Sequence, residues 1–434
     1  MAKSSAIRGR VHGGVLAVLA LATFLCAPVA ARVYSLDECV EIALSDNTTL
    51  ARARESVRGA GATVMTSWSS VLPSVSAGLS TGENFSVTEG FEASGASASG
   101  SVTLRQTLFD GSSFARISGS HHSKRATELS LEETRRLVIL NVKSAYYGLL
   151  KAEELRDVRE EAVGLAREQL RKTQSLYDLG SASKSDLLKA QVQVGQSELA
   201  LISARRSAET ARASLRLTMG LPANGAVEVV HPEETVTERE ILDFELDEAV
   251  SRRPDIRAYE ESYVAARRSL LASKAARWPD LDLSVSYSRT GEDLGEVLDT
   301  DDMEENYNRS VGLTVSIPIF NGLATKASID ASKSDLREFE ITLREARLNA
   351  EYEIETARLG VVEQRERVAV AEQSVASAEE DLRLSEERFR LRAASMLELI
   401  DARVAYSQAR VDLVEARYDH EIAKAELLNA LGLE

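Results

Sequence analysis

The apolar positions of this chain fall into two rhythms, and their order along the sequence predicts most of its architecture. Between residues 323 and 391, Leu336, Phe339, Leu343, Ala346 and Ala350 follow steps of three and four. A four-residue step to Ile354 inserts a stutter, after which Ala357, Val361, Gln364, Val368, Ala371, Val375, Ala378 and Leu382 resume the pattern. This is coiled-coil seam spacing, and the stutter locally relaxes a left-handed supercoil. A second stripe (Ile341, Leu348, Leu359, Val362, Val370, Leu384, Leu391) lies on another face. A helix with two apolar stripes is packed on both sides, as in a ring of helices rather than a simple dimer.

The second rhythm is strict alternation. Leu281, Leu283, Val285 and Tyr287 face away from Asp282, Ser284, Ser286 and Ser288, and Val311, Leu313, Val315 and Ile317 face away from Gly312, Thr314 and Ser316. Earlier in the chain Val75, Ala77 and Leu79 alternate with Ser74, Ser76 and Ser80, and Ala96, Ala98, Val102 and Leu104 with Ser97, Ser99, Ser101, Thr103 and Arg105. Strands of about ten residues, apolar on one face and small-polar on the other, suit a barrel wall between lipid and water. An ordinary soluble hairpin packed on helices would use Leu79 and Tyr287 equally well. Pro73, Pro279 and Pro318 mark the helix–strand boundaries, where a missing donor does little harm.

The whole plan occurs twice. Leu36-Asp37-Glu38 returns as Leu246-Asp247-Glu248, Leu108-Phe109-Asp110-Gly111 as Ile319-Phe320-Asn321-Gly322, Tyr177 to Leu187 as Phe389 to Leu399, and Met219-Gly220-Leu221 as Leu431-Gly432-Leu433, at offsets of 210 to 212. The reading is therefore a first repeat over 32–221, with a strand pair near 74–107 and a helical hairpin turning near 180–185. A connector follows at 222–245. A second repeat over 246–434 has a strand pair near 280–318 and a hairpin turning near 391–395. Helix lengths give a geometric check. Ser113 to Leu179 spans 67 residues, roughly 100 Å. Asp186–Gly220 and Leu246–Trp278, with 35 and 33 residues, together match it. Met396–Leu431 and Leu36–Val71, with 36 each, together match the 69 of Leu323–Leu391. Short helices stacked end to end beside long ones would make a rod of uniform length.

Residues 1–31 stand outside this plan. Lys3, Arg8 and Arg10 precede an apolar run from Val15 to Ala27 that is too short to span a bilayer, and Val29-Ala30-Ala31 supplies small residues for a signal peptidase. The mature chain is expected to begin near Arg32, outside the cytoplasm. It then carries 49 Lys and Arg against 68 Asp and Glu, a net charge of about −19, which repels nucleic acid and leaves no polybasic stretch for anionic lipid. Cys39 is its one cysteine, so an internal disulfide is excluded. No later run of apolar residues is long enough for a membrane helix. Four strands cannot close a barrel alone, and open edges are forbidden in lipid because each unpaired backbone group costs several kcal/mol. Any barrel must be shared among chains.

In this order, Pro318-Ile319-Phe320-Asn321-Gly322, Ala145-Tyr146-Tyr147, Tyr177-Asp178-Leu179-Gly180 and Phe389-Arg390-Leu391, on a tandem repeat, resemble the TolC-like outer membrane factors of Gram-negative bacteria over essentially the whole mature length. The first copy departs in placing Thr107 where the second has Pro318. The resemblance implies a mainly α fold with a membrane β section: a homotrimer whose four strands per chain form a 12-stranded β-barrel, joined to a trimeric α-helical coiled-coil tunnel in the periplasm. It implies a cell outer membrane location, contact with outer membrane lipid and no enzymatic activity. The expected role is a passive duct for small molecules or proteins, in efflux or type I secretion. It would dock a periplasmic adaptor and an inner membrane pump of RND, ABC or MFS type.

The resemblance also assigns roles to residues near the hairpin tips. Glu398 and Asp401, three apart and so on one helix face, would form two rings of carboxylates at the tunnel entrance and favour cations. From the residues alone, a solvated acidic face explains them as well. Asp186 would belong to a network that holds the closed state, with Arg390 or Arg392 as substitute partners, because Ala394 stands where the best-known family member has an arginine. Adaptor docking would use the tips Leu179-Gly180-Ser181 and Leu391-Arg392-Ala393. Glycine allows close backbone approach at the first, and arginine replaces it at the second. No metal site or cofactor is expected, since His121-His122, His231 and His420 lie in different elements without ligand spacing. Gly59-Ala60-Gly61 lies within a helix and is no phosphate loop. A periplasmic coiled-coil adaptor or scaffold is the alternative. An adaptor would need a lipoyl-like β domain around a single hairpin, whereas here strands and hairpins alternate twice.

Overall fold

A computed structural model of the chain describes residues 32–88, 91–225, 227–231, 241–299 and 306–433. The expected signal sequence, 1–31, and part of the connector lie outside the described residues. The elements run β1 (Arg32–Tyr34), α1 (Leu36–Asp46), α2 (Thr48–Ser69), β2 (Ser74–Thr88), β3 (Phe91–Phe109), α3 (Gly111–Asp178), α4 (Lys184–Thr218), β4 (Val227–Val229), α5 (Leu246–Arg252), α6 (Pro254–Ala275), β5 (Asp280–Gly291), α7 (Leu294–Leu298), β6 (Tyr307–Ser316), α8 (Ala324–Arg390) and α9 (Met396–Ala430). The long helices α3 and α8 have 68 and 67 residues, and α4 and α9 have 35 each.

Two expected helices are each broken once. The span 36–71 divides at Asn47, whose extended backbone ends α1. Its side-chain oxygen caps α2 by accepting from the Thr49 and Leu50 amides at 2.8 and 3.2 Å. The span 246–278 divides at Arg253, because Pro254 lacks an amide hydrogen and disfavours helical backbone at the residue before it.

The stacking of short helices also differs from the expected pairing. In the tip half of the chain α4 and α9 flank α3, and α8 packs on the far side of α9. In the half next to the sheet, α2 and α6 flank α3, and α8 packs beside α6. The end-to-end columns are therefore α4 on α2 and α9 on α6, not α4 on 246–278 and α9 on 36–71. Each joint explains itself chemically. The Asn47 amide donates to the Thr218 carbonyl at the end of α4 at 2.8 Å. At the other joint the buried Arg136 of α3 donates to the Asn429 carbonyl at the end of α9 and pairs with Glu133 at 2.6 Å. Both caps satisfy terminal carbonyls that a helix cannot satisfy itself.

The joint at α4 is the tighter one. Gly220 has φ of +81°, and a Cβ there would stand 2.5 Å from the Asp46 carbonyl oxygen. Gly220→Ala combines a left-handed backbone penalty with a clash against fixed backbone, and should cost about 2–4 kcal/mol. Thermal melting of the folded protein measures it. The same change at Gly432, where the nearest atoms would be 3.8 Å away, should cost less.

The four longer strands form one antiparallel sheet in the order β2-β3-β5-β6. Register makes its faces unambiguous. Val75, Leu104, Val285 and Val311 form one cross-strand row, and Ser76, Thr103, Ser286 and Ser310 form the neighbouring row on the opposite face. Ser286 and Ser310 share a hydrogen bond of 2.7 Å. Strands β2 and β3, with 15 and 19 residues, run longer than the alternating segments suggested. The outer strands β2 and β6 have no further strand beside them among the described residues.

A small parallel pair, β1 with β4, belts the chain at mid-height and was not expected, since three-residue strands carry no readable period. Tyr146 of the Ala145-Tyr146-Tyr147 motif is fully buried beneath this belt. Its hydroxyl donates to the carbonyls of Tyr34 and Val230, one in each flanking segment. It sits with Cys39, Val142, Leu149, Leu215, Met219 and Val227 in the largest apolar cluster. Burial pushes the Tyr146 phenol and the Cys39 thiol each up to about 12, so both stay neutral.

Candidate functional site at the helical tips

Both hairpins turn by the same backbone device. At the first tip Gly180 has φ of +72°, and the Ser181 and Gly180 amides donate back to the Leu176 and Tyr177 carbonyls at 2.7 and 2.8 Å. At the second, Arg392 has φ of +61°, and the Ala393 and Arg392 amides donate to the Arg388 and Phe389 carbonyls at 2.8 and 3.0 Å. These are matching Schellman turns. Arginine therefore replaces glycine without changing the path of the chain, at a conformational cost that glycine avoids. Arg392→Gly is expected to raise stability by about 1 kcal/mol, read as a higher denaturant midpoint at unchanged slope.

The helices leaving the tips start alike as well. Ser183 caps α4 in a box with Asp186: the Asp186 amide donates to the Ser183 hydroxyl oxygen at 3.1 Å, and the Ser183 amide donates to the Asp186 carboxylate at 3.3 Å. Ser395 and Glu398 repeat this on α9, at 3.2 and 3.3 Å. Asp186 and Glu398 are thus equivalent residues with the same local task, each placed where the helix dipole favours an anion. Glu398 has a further partner in Arg388, at 3.5 Å. Asp401 lies one turn on, exposed, and makes no hydrogen bond or ion pair among the described residues. Met396 and Leu399 on the opposite face are buried against the rest of the tip.

Between the two tips runs a groove of 1020 Å³ whose walls include Ser181, Asp186, Arg390, Arg392 and Arg403. It brings Asp186 onto the same surface as both arginines suggested as its partners. Within one chain neither forms an ion pair with it. Leu179 and Leu391 are 78% and 73% exposed, so the tips present apolar side chains to solvent.

The sequence reading missed the contacts that join the two hairpins. In the tip half they meet through α3 and α9, and polar links recur along that line. Lys151 pairs with Asp419 at 2.7 Å, Glu161 with Arg410, and Arg403 donates to the Leu165 carbonyl at 3.1 Å while pairing with Glu386 of α8 at 2.7 Å. Partner numbers rise on α3 as they fall on α9, as antiparallel packing requires. Each hairpin combines apolar seams, such as Ala350, Ile354, Val361 and Ala371 on α8, with ion pairs of its own, such as Arg205 with Glu160 at 3.0 Å, Arg417 with Glu372 at 3.1 Å and the Arg403–Glu386 pair. Charged residues facing each other across a supercoil carry no one-dimensional signal, because either partner alone reads as solvated. Among the described residues no three His, Cys, Asp or Glu side chains gather as metal ligands. His122 instead pairs with Glu261 at 2.6 Å, tying α3 to α6.

Comparison with known proteins agrees with this geometry. The profile of the family described as "Outer membrane efflux protein" matches residues 39–221 and 246–433, one match per repeat. The outer membrane efflux protein BepC of Brucella suis is 24% identical over 346 residues, covering 76% of this chain and 71% of that one. The cation efflux system protein CusC of Escherichia coli is 23% identical over 340 residues, covering 75% and 71%. A crystal structure of CusC superposes with a TM-score of 0.81 at 20% identity, covering 92% of each chain.

Proposed function

From the premise that the chain belongs to the outer membrane efflux protein family, we propose that three copies close into one duct through the outer membrane. They would pass the cargo of an inner membrane pump, handed on through a periplasmic adaptor, without chemistry of their own. The observation that carries this reading is the unfinished state of a single chain. Among the described residues its sheet has two free edges, and its helical row has two bare flanks, α4 with α2 on one side and α8 on the other. Leu188, Val192, Leu199 and Ile202 of α4 lie exposed on the first flank. Ile341, Leu348, Leu359 and Val370 of α8 lie exposed on the second, and these are the second stripe read from the sequence. Placing α4 and α2 of one copy beside α8 of the next repeats the packing that α9 and α6 already make with α8. The same rotation pairs β6 with the next β2.

The sheet has the height of a membrane wall. Exposed Trp278 stands just before β5 at the helical end, and Tyr287, stacked with Tyr307 and covered by Arg309, stands four residues before the end of β5. The two are nine residue steps apart, roughly 30 Å of extended chain. A tilt of about 40° brings this near the 25 Å apolar band of outer membrane barrels, which aromatic girdles border. No described helix is long and apolar enough to cross a membrane. Fractionation tests the proposal: the protein should appear in the outer membrane and run as a trimer in mild detergent. Recovery as a soluble periplasmic monomer would sink it.

At the tips, Gly180 and its neighbours are the proposed adaptor contact, and the exposed carboxylates the proposed selectivity element. Because Glu398 is engaged by Ser395 and Arg388, Asp401 should carry most of the cation preference. In planar bilayers with a salt gradient, Asp401→Ala should move the reversal potential toward zero. Glu398→Ala should move it less, and should weaken the α9 cap by about 1 kcal/mol. An unchanged reversal potential in the double variant would place both carboxylates on the outer face.

A further inference from the structure

The wall of the helical section contains a cavity that the duct reading leaves without a task. It lies between α3, α4 and α9, has a volume of about 230 Å³, and joins the two hairpins of one chain. Its apolar surface includes Ala162, Leu165, Ala200 and Val404. Its charged lining is Arg159, Glu161, Arg403 and Arg410. Glu161 is already paired with Arg410, and Arg403 with Glu386. Arg159 is different: it is half-buried and makes no hydrogen bond or ion pair among the described residues. In a chain with 68 acidic residues against 52 basic ones, a shielded arginine left without an acid is unusual. Arg159 also lines a second cavity of 420 Å³ further along α3 and α4, so free volume adjoins it on two sides.

Two more observations concern the same walls. The Arg403 Nε and the Ser407 hydroxyl are buried without any hydrogen-bond partner, and both residues line the first cavity. Buried donors without acceptors are costly, and a cavity whose lining holds these two and an unpaired guanidinium is short of an acceptor. The apolar remainder of the lining suits a compact hydrocarbon body rather than a hydrated inorganic ion.

We propose that this cavity binds a small amphiphilic organic anion, with the acid group on Arg159 and the apolar body against Ala162, Leu165, Ala200 and Val404. The inference does not depend on the duct reading, since the site is built within one chain. Its occupant would touch both hairpins, and so would couple ligand concentration to their relative position.

The test uses the purified full-length protein and 2-naphthoate as probe, with binding followed by its fluorescence. Saturable binding of one probe per chain is expected. Arg159→Gln should weaken it about tenfold or more and Arg159→Lys much less, because the acid needs a cation. Val404→Trp, on the half-exposed rim, should weaken it by filling the space while leaving the charge in place. The neutral isostere 2-naphthamide should bind about tenfold more weakly than the acid. Thermal melting of each variant separates loss of the site from loss of the fold. The proposal is overturned if a folded Arg159→Gln binds as wild type does. It is equally overturned if the amide matches the acid, or if no saturation appears at millimolar probe, in which case the cavity holds water only.

Discussion

Removing Arg403 and Arg410 together should loosen the tip half of the tunnel and raise single-channel conductance several-fold. In that half α3 and α9 form the contact between hairpins, so a change of bore within one chain must occur across them. Arg403 contributes a bond to the Leu165 carbonyl and a pair with Glu386, and Arg410 a pair with Glu161. The acids are about half exposed, which screens the pairs, so a contribution of about 1–2 kcal/mol per chain is reasonable. Three chains in one ring would multiply the effect on the closed state. Arg403→Ala also removes the Glu386 pair inside the second hairpin, but the apolar seams remain, so the double variant should stay folded and melt only a few degrees lower. Planar bilayer recording gives the answer. Unchanged conductance from intact trimers would place the constraint on contacts between chains instead.

Gly180→Trp is expected to abolish export while leaving trimer formation and membrane insertion intact. Two consequences of removing a glycine must be separated here. The left-handed backbone at Gly180 costs about 1 kcal/mol for any other residue, and Gly180→Ala isolates that cost, because a Cβ there meets nothing within 4 Å. Gly180→Ala should therefore export at nearly the wild-type rate. Tryptophan adds bulk in open space that an incoming adaptor helix must cross. Equal export by the alanine and tryptophan variants would remove the first tip from the docking surface. The second tip already carries Arg392 at the same backbone position, so an adaptor seated there must accommodate a guanidinium.

The order of elements was legible in the chain because each rests on local physics. Pro73 and Pro279 follow helices and Pro318 follows a strand, each at a helix–strand boundary, alternating Val and Ser declare a two-faced sheet, and the stuttered seam of α8 declares a helix with a partner. The repeat made each reading testable against its copy. Asn47 was not read as a break, because asparagine is also tolerated inside helices. The fold uses it as an N-cap for the Thr49 and Leu50 amides and, through its side-chain amide, as a donor to the Thr218 carbonyl. Leu246–Trp278 was expected as one helix, although Pro254 carries the same break signal as the other prolines.

Local spacing thus determined the order of the main helices and strands, the two-stripe helix and the need for more than one chain, but not the breaks at Asn47 and Arg253, the full length of β2 and β3, or the β1–β4 pair. The pairing of columns was decided in three dimensions. Length alone cannot choose between α4 on α2 and α4 on the helices after residue 246, since the two sets differ by few residues. The choice falls to the joints, where Gly220 fits against Asp46 and Arg136 reaches the end of α9. The same holds at the tips. Sequence spacing puts Glu398 and Asp401 on one face, but only the folded tip shows Glu398 held by Ser395 and Arg388 while Asp401 has no partner among the described residues. Charge can be read from a residue's identity, whereas its availability depends on what the fold places within reach.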